Sequence, residues 1–210
     1  MNLGLVLSYI VAAIITMALL TMNMGVQRST AELTLLNMKK NHMTSITEML
    51  EYDISKTAYE ISGPIADAIK VADSTSFAFE ADIDNDGDID LVRWDFTILP
   101  VTGTTNPNDR ILRRTYINDV NNTAMIPVNT DITDITLGAI DMNFEYFMGT
   151  GSGTPLSTPV LTQASRNNIA QIQVSLTLES DVTISNNVSD AGRRVRTHYE
   201  KLFSPVNLNN

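Results

Sequence analysis

The 210-residue chain carries 24 acidic against 14 basic side chains, a formal charge of −10, and no cysteine. This is the length of one modest domain, and without cysteine it has no disulfide framework, thiolate metal site or cysteine nucleophile. The acidic balance and the 6% aromatic content argue against nucleic-acid binding, which rewards clustered Lys and Arg and stacking rings.

From Met1 to Gln27 there is no charged side chain. Within that stretch LGLVLSYIVAAIITMALLTM (Leu3 to Met22) is almost wholly apolar. As a helix rising about 1.5 Å per residue it matches a hydrocarbon core about 30 Å thick. Residues 1–27 are therefore expected to form a transmembrane or assembly-core helix half. Its surface would be built from Leu3, Leu5, Leu7, Ile10, Val11, Ile14, Ile15, Met17, Leu19, Leu20 and Met22. A cleaved secretory signal is the alternative, but no Lys or Arg precedes the run, its apolar core is long, and no clean small-x-small site follows.

Between Leu3 and Ser62 there is no proline, and the only glycines are Gly4 and Gly25. One helix is expected to continue for about 60 residues, roughly 90 Å, and to stop at Gly63-Pro64. Its second half, 28–62, is amphipathic. Met43, Ile46, Leu50, Ile54, Ala58 and Ile61 recur at spacings of three and four, leaving Lys39, Lys40, Glu48, Glu51, Lys56 and Glu60 for wetter faces. That half should pack on a domain. A parallel coiled-coil stalk competes with this reading, although Asn41, Thr44, Thr47 and Ser55 leave no clean seam.

After the helix the apolar period changes to two. Strands are expected at SFAFEADI (Ser76 to Ile83), DLVRWDFTI (Asp90 to Ile98), RILRRTYI (Arg110 to Ile117), IDMNFEYFM (Ile140 to Met148) and IAQIQVSLTLE (Ile169 to Glu179), with RRVRTHYEKLF (Arg193 to Phe203) as the last. Ile172, Val174, Leu176 and Leu178 share one face, as do Ile140, Met142, Phe144 and Tyr146. The pattern is that of an antiparallel sheet with one buried side. Residues 63–210 thus read as a β-rich head, and the fold class as α+β.

The stretch DIDNDGDID places Asp82, Asp84, Asp86, Asp88 and Asp90 at alternate positions, with Gly87 where the chain must turn. Hard oxygen ligands so spaced suit Ca²⁺ and fit the start of an EF-hand loop. The twelfth position is Arg93 instead of a bidentate Glu, and the flanks read as strands. A solvated hairpin turn built on Asn85, Asp86 and Gly87 is the other reading. His42 and His198 lie far apart without a metal or triad motif, GTGSGT lacks a P-loop ending, and Trp94 reads as core. Arg193, Arg194 and Arg196 form a basic cluster that either is solvated or meets an acidic loop of another subunit. Asn121-Asn122-Thr123 and Asn187-Val188-Ser189 match glycosylation sequons. No paired acid and base or nucleophile marks an enzyme.

An apolar amino-terminal helix that becomes amphipathic and then packs on an antiparallel sheet resembles the type IV pilin and pseudopilin superfamily. The head is most similar to the larger minor pseudopilins and minor pilins. The stretches that carry the resemblance are VADSTSFAFEADIDNDGDIDLVRWDF (Val71 to Phe96), ILRRTYIN, DITDITLGAIDMNFEYF (Asp131 to Phe147), IAQIQVSLTLES and KLFSPVNL (Lys201 to Leu208). The family's basic leader and early Glu have no counterpart here; Leu5, or Tyr9 if a leader ends at Gly4, stands in the Glu position. The resemblance implies a structural subunit of a helical surface filament, held in the inner membrane before assembly and at the cell surface afterwards. Its partners would be copies of itself, the membrane and an inner-membrane assembly machine. A minor or tip subunit, or a membrane-anchored calcium-dependent binding domain, are the alternatives.

Overall fold

The computed structural model describes residues 3–61, 68–120, 130–149, 153–184 and 192–209. Gly63-Pro64, both sequons and the middle of the glycine-rich loop lie outside these residues. The architecture is α+β: a long apolar amino-terminal helix followed by a seven-stranded antiparallel sheet. Helix α1 runs over Leu3–Ser55, 53 residues or about 80 Å. The strands are β1 (Ile69–Ala72), β2 (Ser76–Ala81), β3 (Asp90–Pro100), β4 (Arg110–Ile117), β5 (Thr130–Met148), β6 (Ile169–Glu179) and β7 (Arg196–Phe203). They pair in chain order, each with the next, as an antiparallel meander. A short helix α2 (Gln163–Arg166), capped by the Thr162 side chain on Ser165 N, precedes β6.

α1 ends at Ser55, seven residues before the expected stop. The Lys56 amide donates to Asp53 O and the Thr57 amide to Ile54 O, a tightening of the last turn. Ala58 then takes φ 63°, and its amide donates to Glu80 O of β2. The sheet edge, not a glycine or proline, takes the chain out of the helix. Ala58 is buried as the stripe suggested, but in the corner that follows the helix.

Met43, Ile46, Leu50 and Ile54 all face inward, with Ile46, Leu50 and Ile54 at most 2% exposed. Burying each such side chain contributes roughly 1.5–3 kcal/mol. They join Val92 and Trp94 of β3, Leu112 of β4, Met142, Phe144 and Tyr146 of β5, and Ile172, Val174, Leu176 and Leu178 of β6 in one core. The period-two faces of β3 and β6 are thus buried as their alternation predicts, and so are Met142, Phe144 and Tyr146 of β5; Ile140, expected on the same face, is only half-buried, because the register shifts between Ala139 and Asp141 and Ala139 takes the core position. Phe77 and Phe79 of β2 stack at 5.2 Å and add the edge of this core.

Two elements differ from expectation. The four-residue β1 is too short to show a period. β5 begins ten residues before Ile140, because one 19-residue strand pairs first with β4 and then with β6. Gly138, at φ 92°, lies within the β4–β5 register shift, and the β5–β6 register shifts just after it, between Ala139 and Asp141. A Cβ at Gly138 would sit 2.4 Å from Glu179 O and 2.4 Å from Lys39 Nζ. The opening admits Lys39, expected on a wet face but only 5% exposed. Its ammonium donates to Leu137 O at 2.9 Å and Asp181 Oδ1 at 3.4 Å.

Candidate functional site

Two regions stand apart from the folded core: the surface of α1 before it meets the head, and the loop between β2 and β3. Every residue from Leu3 to Ala31 is exposed. Leu3, Leu5, Leu7, Ile10, Ile14, Ile15, Met17, Leu19, Leu20 and Met22 each present more than half of their surface, and Val11 49%. These positions cover the full circumference, so no single stripe faces a core. The small hydroxyls on this half turn back onto the helix: Ser8 donates to Gly4 O, Thr16 to Ala12 O and Thr21 to Met17 O. A helix whose hydroxyls bond four residues back presents an apolar exterior suited to lipid or to other apolar helices. Its length and composition suffice to cross a membrane. Among the described residues, the first ion pair of α1 with the head is Glu32 with Arg193.

The amphipathic half is fastened by polar ties as well as by packing. Asp53, fully buried, accepts Trp94 Nε1 at 2.8 Å and a two-pronged contact from Arg114, Nε at 2.7 Å and Nη2 at 2.9 Å. One carboxylate thus joins α1 to β3 and β4. The sequence reading did not single it out. The available signal was an Asp on the buried stripe, three residues after Leu50 and one before Ile54, with three arginines on a strand beyond.

A second tie joins α1 to β7: Glu51 accepts the Tyr199 hydroxyl at 2.9 Å and pairs with Lys201 at 2.7 Å. The Lys201 hydrogen bond, reinforced by Tyr199 against partial desolvation, holds the Glu51 carboxyl below its ordinary value of 4.5. A depressed carboxyl contributes stability that is complete above the unfolded value and is lost as the pH falls through the folded one. The melting-temperature gap between wild type and Glu51→Gln is therefore expected to be constant near neutrality and to close as the pH drops below 4.5. Circular-dichroism melts over an acid series measure it, and a gap that stays constant into strong acid would contradict the tie.

In the β2–β3 loop the structure brings Asp82, Asp84 and Asp86 together, with carboxylate oxygens within 4.8 Å of one another. Asp84 and Asp86 are exposed, whereas Asp82 is 2% exposed. Asp82 Oδ2 accepts Gly87 N at 3.0 Å, while Oδ1 is buried without a hydrogen-bond partner. Asn85, at φ 61°, and Gly87, at φ 95°, turn the loop. Asp88 and Asp90 stand outside this group. Asp90 is fully buried and structural, accepting Ile83 N at 2.9 Å and Asp119 N at 3.2 Å. Burial pushes the Asp90 carboxyl above its ordinary value despite those bonds, and the neighbouring Asp119 charge pushes Asp88 up. Tyr116, whose hydroxyl donates to Asp84 Oδ2 at 3.3 Å, is pushed well up by burial and by Asp90 and Asp84.

The basic cluster is engaged within the chain. Arg194 donates to Ser180 O at 2.9 Å and Thr105 O at 2.8 Å, Arg196 pairs with Glu179 at 2.7 Å, and Arg193 pairs with Glu32. These arginines line a cleft of about 620 Å³ with Pro107, Asn108 and Thr183. His198 Nδ1 contacts the Thr177 hydroxyl and its Nε2 faces Glu200, and His42 is half-buried on α1. Among the described residues neither histidine joins a group able to hold a metal. No protein-family model and no curated protein sequence matches this chain.

Proposed function

We propose that the chain is a structural subunit of an extracellular, type IV pilus-like filament that assembles through its apolar helix. The observation that carries this reading is the division of α1. Residues 3–31 are exposed on every side, and Leu3 to Met22 among them are almost wholly apolar, whereas Met43, Ile46, Leu50 and Ile54 are docked on the sheet. A helix half with no face turned to its own domain needs another solvent or another copy around it. Before assembly that solvent is the inner membrane. In the filament, helices of neighbouring subunits replace lipid around the same side chains, an exchange of one apolar contact for another. Open helical growth requires two different patches of the subunit to meet, and an inner-membrane assembly machine would supply the ordered addition.

The test is electron cryo-microscopy of material sheared from cells producing the protein. The expected result is filaments with a helical lattice whose axial density accepts a helix of about 80 Å. Protein that remains with the membrane fraction as a scarce component of a larger machine would make it a minor or tip subunit. Recovery as a single membrane-anchored copy without any assembly would overturn both in favour of an anchored binding domain.

A further inference from the structure

We infer that the Asp82–Asp84–Asp86 group is a Ca²⁺ site, and that the ion fixes the corner at which α1 enters the head. A cluster of acidic residues is common on protein surfaces without an ion. What distinguishes this one is the Asp82 carboxylate: it is 2% exposed, and Oδ1 has no hydrogen-bond partner. A buried carboxylate oxygen without a donor costs free energy unless a cation or a bound water meets it. One carboxylate oxygen from each of Asp82, Asp84 and Asp86 lies within 4.8 Å of the others, the span of oxygens sharing one ion. The counter-charge nearby does not serve this purpose. Lys56 Nζ is directed to Ile83 O at 2.6 Å and Asn85 Oδ1 at 3.2 Å.

The chemistry of the donors selects the ion. Three carboxylates and no nitrogen or sulfur ligand suit a hard cation. Two of the three are exposed, so water can complete the shell, and the loop imposes no octahedron. That favours Ca²⁺, which takes 6 to 8 oxygens in flexible geometry, over Mg²⁺, which demands near-ideal octahedral placement. No residue supplies the bidentate Glu of a helix–loop–helix site, so the affinity is expected to belong to the weaker, extracellular range of about 10⁻⁴–10⁻³ M.

The position of the loop gives the ion a task. The Tyr52 hydroxyl donates to Ile83 O at 3.1 Å, Lys56 shares that carbonyl, and Asp82 N donates to Tyr59 O at 3.0 Å. The backbone of the acidic loop is therefore bonded to the last turn of α1 and to the corner after it. An ion that holds Asp82, Asp84 and Asp86 also holds Ile83, and through it the end of the helix.

The full chain in detergent micelles tests this with the metals alone. Tb³⁺, which takes the place of Ca²⁺ on oxygen ligands, is expected to give tyrosine-sensitised emission, because the Tyr116 hydroxyl lies 3.3 Å from Asp84 Oδ2. CaCl₂ is expected to quench it by competition. With CaCl₂ at about one hundred times its dissociation constant, the melting temperature is expected to rise by about 5–10 °C over chelator, with slower amide exchange over Tyr52 to Asp84. The exposed pair Asp84→Asn/Asp86→Asn keeps the side-chain oxygens that bond Asp86 N and Asp88 N, so it should fold and lose both responses. Absence of emission together with unchanged melting would overturn the site. So would an equal shift with MgCl₂, which would mean charge screening only, or a full response from the double variant. A melting shift without slower exchange at Tyr52 to Tyr59 would overturn the role at the corner. Filament formation is read separately, so failure here leaves the assembly reading intact.

Discussion

Asp53→Ala is expected to destabilise the head by about 3–5 kcal/mol, since removal of one partner strands the other charge of a buried pair. Arg114 would lose its two bonds to the carboxylate, and Trp94 Nε1 would lose its acceptor. Arg114 is largely buried, its side chain 15% exposed, so water cannot freely replace what is lost. A guanidinium stays protonated in proteins, so Arg114 will not escape by deprotonation. For a chain of this size the melting temperature should fall by about 6–20 °C, followed by near-ultraviolet circular dichroism of Trp94. The double variant Asp53→Leu/Arg114→Met removes both charges and is expected to recover much of the loss. Its recovery should remain incomplete, because Trp94 Nε1 would still lack an acceptor. A single-variant loss below about 1 kcal/mol would place the pair among exposed ones, whose worth is that small.

Ile14→Lys addresses assembly instead of stability. Ile14 is 63% exposed and lies near the centre of the uncharged stretch, remote from the buried face that begins at Lys39. A lysine at the centre of a spanning helix costs about 2.5–3.5 kcal/mol on insertion scales, and in a bundle of apolar helices every copy would bring the same charge. The expected result is loss of sheared filaments by at least tenfold, with the head retaining the melting curve of the wild type. Ile14→Leu serves as the control and should assemble normally. Filaments of normal yield from Ile14→Lys would show that this part of α1 lies outside the assembly interface. The Asp53 and Ile14 variants thus separate the two halves of one helix: one reports on docking, the other on what surrounds the free end.

Much of the molecule was legible because its signals are local. The period-two runs at Val92–Trp94, Met142–Tyr146 and Ile172–Leu178 became buried faces, since alternation follows directly from the pleat. The stripe Met43, Ile46, Leu50 and Ile54 became the docked face of α1 for the same kind of reason, a period of 3.6. The end of the helix was not legible. Residues 56–61 contain no glycine or proline, and Ala58 leaves the helix because its amide finds Glu80 O on β2. The acidic loop was legible as a motif, but not that Asp82 would be buried while Asp84 and Asp86 stayed exposed, because their burial depends on what packs beside them.

The sequence by itself determined the α+β order of elements, the uncharged apolar start, the strand faces and the presence of an aspartate-rich turn, all of which rest on composition and spacing along the chain. Only the tertiary structure decided which polar side chains go inside. Lys39 is buried because Gly138 leaves a gap in β5, and Asp53 because Trp94 and Arg114 meet it from two strands. A buried charge is stable only with partners, and partners 41 or 61 residues away have no fixed spacing for a sequence pattern to reveal.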